Sequence, residues 1–190
     1  GLICLSACLA GEIPRLLLNG NYEEAKAKAI EYDEIFGHGN YYLEVQNHGI
    51  EEQIKILPLL YRISEETGIP VAATNDAHYI EKNDSEMQRI LTCISTGKTL
   101  DSPDSLSFPT EEFYIKSVEE MSRLFPEEAV ENTVKIAEKC NVTFEFGVTK
   151  LPYFRIEGTD NNALYFREAV YKGIHKRYGD KPSADIIERV

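Results

Sequence analysis

Three times in the first 96 residues, a short apolar stretch is followed by a longer segment with helical spacing. Leu2–Ser6, Tyr41–Gln46 and Val71–Asn75 read as strands, the last almost wholly apolar. A helix is predicted over Tyr22–Phe36, where Asn21 and Glu24 have capping-box spacing and Ala25, Ala29, Tyr32 and Phe36 share the inner face. Ile50, Ile54, Leu57 and Tyr61 mark a second helix, closed by Gly68 and Pro70, and Met87, Ile90, Leu91 and Ile94 a third. Successive β-α units argue for a parallel sheet or barrel wall with helices outside. The expected class is α/β, a partial TIM-like β/α barrel wall, because three strands do not close a barrel of about eight.

The texture changes after Thr99. Asp101-Ser-Pro-Asp-Ser105 reads as a polar loop, and Ser117-Val-Glu-Glu120 as a capping box opening a short helix to Leu124. Pro126 suits the first turn of a helix running to Cys140. Asn141–Phe146 reads as a strand, 150–162 as a linker, and Ala163–Tyr178 as a last helix with Leu164, Tyr171, Ile174 and Tyr178 on one stripe. The first 80 residues are acidic, whereas residues from 149 onward are slightly basic. A domain boundary is placed near Gly147, giving 1–147 and 148–190. The sequence begins at Gly1 rather than Met and is expected to be a piece of a longer protein.

Charge and cysteine usage narrow the function classes. Lys plus Arg number 20 against 32 Asp plus Glu, a net charge of −12, so the surface as a whole is a poor match for nucleic acid. Cys4, Cys8, Cys93 and Cys140 form no CxxC pair and are too few for a disulfide scaffold, which argues against a zinc ribbon and a secreted mini-domain. Leu5-Ser-Ala-Cys8 imitates a lipoprotein cleavage box, but without a basic stretch before it the segment reads as a strand running into a turn. No apolar run approaches the ~20 residues of a membrane span, and a cytoplasmic location is expected.

The sharpest chemical signal is Thr74-Asn-Asp76-Ala-His78, which follows an apolar strand. In β/α architectures, groups at the carboxyl ends of strands converge on one site. Asp76 and His78 there offer a hard oxygen and an imidazole, which suit Zn²⁺, Mn²⁺ or Fe²⁺; the alternative is a hydrogen-bonded turn. Cys8 lies just past another strand's carboxyl end, either as a third, thiolate ligand or as a small buried hydrophobe. Glu44 and Gln46 give the second strand one polar face, and His48 stands at the same end. Glu44 and His48 are candidate site-lining residues, and the other reading of His48 is a solvated loop histidine. His38 and His175 read as surface residues. Thr92 to Thr99 imitates the end of a P-loop, but its first glycine is missing and it follows a helix rather than a strand. The pairs Glu111-Glu112, Glu119-Glu120 and Glu127-Glu128 read as solvated helix starts.

The order of motifs resembles the alpha subunits of bacterial replicative DNA polymerase III, the C-family polymerases. The likeness is carried by Gly1-Leu-Ile-Cys-Leu-Ser-Ala-Cys8-Leu-Ala-Gly-Glu-Ile-Pro-Arg, Tyr42-Leu-Glu-Val-Gln-Asn-His-Gly49 and Pro70-Val-Ala-Ala-Thr-Asn-Asp-Ala-His78-Tyr. Thr96-Gly-Lys-Thr-Leu-Asp101, Phe113-Tyr-Ile-Lys-Ser117, Glu131 to Asn141 and Leu151-Pro-Tyr-Phe154 complete it in the expected order.

This resemblance implies that 1–147 is the later part of a polymerase-and-histidinol-phosphatase (PHP) domain with its C-terminal helical extension, and that 148–190 is a linker and the start of the palm. It implies a PHP site for Zn²⁺ or Mn²⁺ whose ligands include Cys8, Asp76 and His78, linked in members that keep it to phosphoester hydrolysis and 3′–5′ exonuclease proofreading. No ligand role is carried onto Glu44 or His48. It further implies, for the full-length protein, DNA-directed DNA polymerase activity, Mg²⁺ at a palm site, primer-template DNA and deoxynucleoside triphosphates as substrates, and the sliding clamp and other replisome subunits as partners. The early-strand ligands and the palm aspartates fall outside these residues, so the piece alone is expected to be inactive. A stand-alone PHP-type phosphoesterase and a non-catalytic scaffold for the palm or a proofreading subunit are the other readings.

Overall fold

A computed structural model describes residues 1–102 and 107–189. Most of the expected loop Asp101–Ser105 lies outside the described residues. The chain divides into two compact units, Gly1–Val142 and Thr143–Val190.

In the first unit, β1 (Cys4–Leu5), β2 (Tyr41–Val45) and β3 (Val71–Ala73) form a parallel sheet in the order β1-β2-β3. Cys4 is in register with Tyr41, and Leu43 with Val71. The strands are shorter than the apolar runs suggested. Inter-strand backbone bonds nevertheless reach one residue past β1 and β3, from the Ser6 N–H to the Tyr42 carbonyl at 3.0 Å and from the Thr74 N–H to the Val45 carbonyl at 3.1 Å. The connections are α1 (Glu12–Leu18) with α2 (Tyr22–Phe36), then α3 (Glu51–Thr67), as parallel neighbours require a crossover.

Helix α1 is absent from the sequence reading. It has only seven residues and a proline in its first turn, where the missing N–H is one of the groups a helix leaves unpaired. It nevertheless buries Ile13 and Leu17. Helix α2 has the expected bounds, but Asn21 does not cap it; its amide only reaches Glu24 on the surface at 3.5 Å. Helix α3 is rotated from its expected face: Gln53, Ile56, Leu60 and Ile63 are buried, while Ile54 is exposed. Gly68 closes it in the left-handed conformation that a side chain would disfavour.

Three further α-helices complete the first unit. A short 3₁₀ turn, Lys82–Asp84, leads into α4 (Ser85–Thr96). The stripe Met87, Ile90, Leu91, Ile94 that marked this helix in the sequence is exposed within the unit, and α4 buries only Cys93. The Ser117 capping box forms: Ser117 Oγ accepts from the Glu120 N–H at 3.3 Å, and Glu120 accepts from the Ser117 N–H at 2.8 Å, starting α5 (Val118–Leu124). Pro126 precedes α6 (Glu127–Lys139). Helix α6 packs along β3, and its buried Asn132 donates to the Val71 carbonyl at 2.8 Å. A strand edge is thereby given a partner instead of being left open.

The core joins Leu43, Val45 and Val71 of the sheet to Ile13, Leu17, Ala25, Ala29, Ile56, Leu60, Ile63 and Ala129 of the helices. Each fully buried leucine or isoleucine contributes about 1.5–3 kcal/mol relative to exposure.

The second unit holds α7 (Asn162–Tyr178) and α8 (Ala184–Glu188). Asn161 caps α7, its side chain accepting from the Leu164 N–H at 3.0 Å. Of the expected stripe only Ile174 is buried. Residues 141–146 are not a strand. No partner strand pairs with them among the described residues, and Val142, Phe144 and Phe146 are exposed. Among the described residues no helix is long and apolar enough to cross a membrane.

Candidate functional site

The carboxyl ends of all three strands carry polar side chains that bond to one another. After β1 the backbone turns sharply. Ala7 has φ 63, a left-handed conformation that alanine adopts only at a cost, and the Gly11 N–H closes the turn on the Cys8 carbonyl at 2.7 Å. A Cβ on Gly11 would come within 2.4 Å of the Ser6 carbonyl oxygen, so this turn requires glycine. Cys8 is thereby held at the strand end on a tight backbone.

Beneath it lies a polar ladder. Ser6 Oγ accepts from the Glu44 N–H at 2.8 Å, and Thr74 donates to the Glu44 carboxylate. Gln46 Nε2 donates to Glu44 at 3.1 Å and to Thr74 at 2.9 Å. Glu44, a candidate lining residue, borders a cavity of about 10 Å³ with Cys8, Gln46 and Gln53. That volume holds a single water at most.

His48 is not a solvated loop residue. It is 1% exposed and its ring stacks on Phe113, centroids 4.5 Å apart and 7° from parallel. Gln53 Oε1 accepts from the His48 backbone N–H at 2.8 Å, Thr110 donates to the His48 carbonyl at 2.6 Å, and the Asp76 N–H donates to His48 Nε2 at 3.2 Å. Burial, and then the charge on Lys116, push its pKa below the ordinary histidine value.

Asp76 and His78 stand together past β3, Oδ1 to Nε2 at 3.1 Å, half-exposed at 50% and 38% of their side chains. The His78 ring packs 4.4 Å from Phe108 and meets Phe113 edge-on at 5.9 Å. The His78 N–H donates to the Phe113 carbonyl at 2.7 Å, and Asn75 donates to the Tyr114 carbonyl at 2.8 Å. The segment Thr110–Lys116 therefore forms a wall that orients both histidines. Its Lys116 side chain is only 2% exposed; it donates to the Glu112 carbonyl, lies 3.5 Å from the Glu112 carboxylate, and sits over the Tyr114 ring at 4.4 Å. Burial drives the Lys116 pKa down. The hydrogen bond from Lys82 holds Glu112 below the usual carboxylate value.

The donors suit a divalent transition ion: an accessible carboxylate beside an imidazole, with a thiol at the neighbouring strand end. Asp76 and His78 are brought together, but the Cys8 sulfur contacts Gln53 instead. Among the described residues no three His, Cys, Asp or Glu side chains converge on one point. Of the three candidate donors, Asp76 and His78 are the two that stand together.

Sequence reasoning missed Gln53, Thr110, Phe113 and Lys116. Gln53 carried a legible signal, since it is a polar residue on the same face as Ile56, Leu60 and Ile63. Phe113 and Lys116 stood out only as part of the family-like stretch Phe113–Ser117, because nothing local says that an irregular segment folds back across strand ends. His38 is exposed as expected, though its ring pairs with the buried carboxylate of Asp33. Elsewhere, an open groove of about 810 Å³ lies within the second unit, lined by Phe166, Val170, Ile174, Arg177, Ile186 and Arg189.

Residues 1–48 match the PHP domain family. The chain is 46% identical to the DNA polymerase III subunit alpha of Treponema pallidum, over 94% of this chain and 16% of that protein. It is 42% identical to that of Borreliella burgdorferi over the same shares, and 38% identical to that of Thermus aquaticus over 95% of this chain and 15% of that protein. The chain thus spans about one sixth of the length of the curated relatives it matches. It is related, over nearly its whole length, to a segment of DNA polymerase III alpha subunits, and its amino-terminal quarter matches the PHP domain.

Proposed function

We propose that this chain is one side of a PHP-type β/α barrel wall in a DNA polymerase III alpha subunit, and that Cys8, Asp76 and His78 are part of a divalent-metal site there. The full-length protein is then a DNA-directed DNA polymerase of the cytoplasm, acting on primer-template DNA and deoxynucleoside triphosphates alongside the sliding clamp and other replisome subunits. Residues 1–147 belong to the PHP domain, and 148–190 form the linker and the start of the palm, whose Mg²⁺ ligands lie on other residues. The observation that carries the metal reading is the half-exposed Asp76–His78 pair at the carboxyl end of β3.

A bound Zn²⁺ or Mn²⁺ supplies Lewis-acid polarisation of a phosphoryl oxygen, the chemistry a 3′–5′ exonuclease or other phosphoesterase needs. The chain's own residues prepare for it. Asp76 presents carboxylate oxygens to solvent, and Phe108 and Phe113 hold the His78 ring against rotation. Cys8 offers sulfur from a turn whose backbone is locked by Ala7 and Gly11.

The test is the metal content of the full-length protein grown with zinc or manganese, compared with the variant Cys8→Ala/Asp76→Ala/His78→Ala. Loss of bound metal in the variant is expected, and unchanged content overturns the reading. One observation favours a second reading, a non-catalytic scaffold: the three donors do not converge within this chain. A full-length protein that binds no transition metal and whose melting is unmoved by chelator supports the scaffold instead.

A further inference from the structure

We infer that Gln53 is a positioning residue for Cys8 in the metal site proposed above. The inference rests on that reading and adds a residue to it. Gln53 stands in the first turn of α3, is 3% exposed, and its Nε2 donates to Cys8 Sγ at 3.2 Å.

The orientation of this amide is not free. Its oxygen accepts from the His48 backbone N–H at 2.8 Å, and a backbone N–H can only donate. The oxygen must therefore face His48, which leaves the NH₂ group facing the sulfur. Both nitrogens of the His48 ring face N–H donors, Gln53 Nε2 and the Asp76 N–H, each at 3.2 Å. A neutral ring accepts from one of them, and the bond from Gln53 to Cys8 does not depend on which.

The backbone around Cys8 is already constrained by the left-handed Ala7 and by the close approach at Gly11. The remaining freedom is rotation about the Cys8 Cα–Cβ bond. A buried donor aimed at the sulfur selects one rotamer and leaves the other sulfur lone pairs open to a cation. Donors of this kind behind a metal ligand typically change metal affinity by about 10–100-fold when removed.

The experiment uses the full-length alpha subunit that carries this segment, loaded with Co²⁺. The thiolate-to-cobalt charge-transfer band reports sulfur on the metal, and its loss in Cys8→Ser assigns it to this residue. Gln53→Leu, which removes the amide, is expected to lose the band or to weaken cobalt binding by about 10–100-fold. Gln53→Glu keeps an acceptor for the His48 N–H but has no donor for the sulfur, so it is expected to show the same loss with the circular dichroism of the unmodified protein. It decides the matter should the leucine variant fail to fold. A full band with unchanged cobalt affinity in Gln53→Glu overturns the role of Gln53 and leaves the metal site standing. An unmodified protein that takes up no cobalt overturns the metal reading itself, and this inference with it.

Discussion

The two units of this chain use their apolar residues in opposite ways. In Gly1–Val142, Leu43, Val45, Leu60 and Ile63 are sealed between a parallel sheet and helices on its face. In Thr143–Val190, Phe144, Phe146, Leu151, Tyr153, Phe154, Leu164 and Phe166 are exposed, and Ile174 is the buried apolar residue of α7. Each unit has a helix with a side-chain cap, α5 at Ser117 and α7 at Asn161, so local helical signals do not separate them. In the first, alternating strands and helices give the apolar faces of α1, α3 and α6 a shared core with the sheet to pack into, while the stripe of α4 stays exposed. The second has one long helix with a five-residue helix and irregular chain, too little to cover the stripe of α7.

This contrast can be broken by experiment. The largest effect is expected from Leu43→Ala, which empties a fully buried position at the centre of the sheet; it should cost about 2–5 kcal/mol in chemical denaturation. Leu164→Ala, on the exposed face of α7, should stay within about 0.5 kcal/mol. Equal losses from the two would mean that the second unit has a core of its own.

A smaller effect tests the wall behind the histidines. Glu112→Gln removes the carboxylate beside the buried Lys116 ammonium and the exposed Lys82 pair. The expected loss is about 1–3 kcal/mol, below that for a fully buried pair because Glu112 is partly solvated. Glu112 has a folded pKa below its ordinary value of 4.5. Its contribution is therefore fully present above pH 4.5 and drains away as pH falls through the lower folded value. Urea midpoints measured from pH 6 downward should fall less steeply in the variant, and parallel curves would remove Glu112 from this role.

The smallest effect is local. Ser117→Ala deletes one half of the α5 capping box and should cost about 1 kcal/mol, read as a lower melting temperature. No change would mean that packing of α5 on α6 alone holds that helix.

Much of the first unit was legible because alternation between two-residue and 3.6-residue periods is a property of neighbours in the chain. Helix α2 kept its bounds, and the capping box at Ser117 formed as its spacing implied. Asn21 shows where that logic stops. It has the same spacing to Glu24, yet it makes no cap, because spacing supplies the partners and not the backbone angle at the cap residue. The exposed stripe of α4 and the missing strand at 141–146 share a cause: periodicity says which residues could pair, while pairing needs an element on the other side.

The candidate site divides along the same line. Asp76 and His78 are two residues apart at the end of an apolar strand, so their meeting is a local consequence of chain geometry. Burial of His48, rotation of α3 to bring Gln53 against Cys8, and the return of Phe113 over both histidines all join residues tens of positions apart. Sequence alone determined the parallel α/β class and which polar residue types follow each strand. The tertiary structure decided which of those residues touch, because contacts between distant segments depend on how crossover helices seat on the sheet, a packing outcome that no run of neighbouring residues encodes.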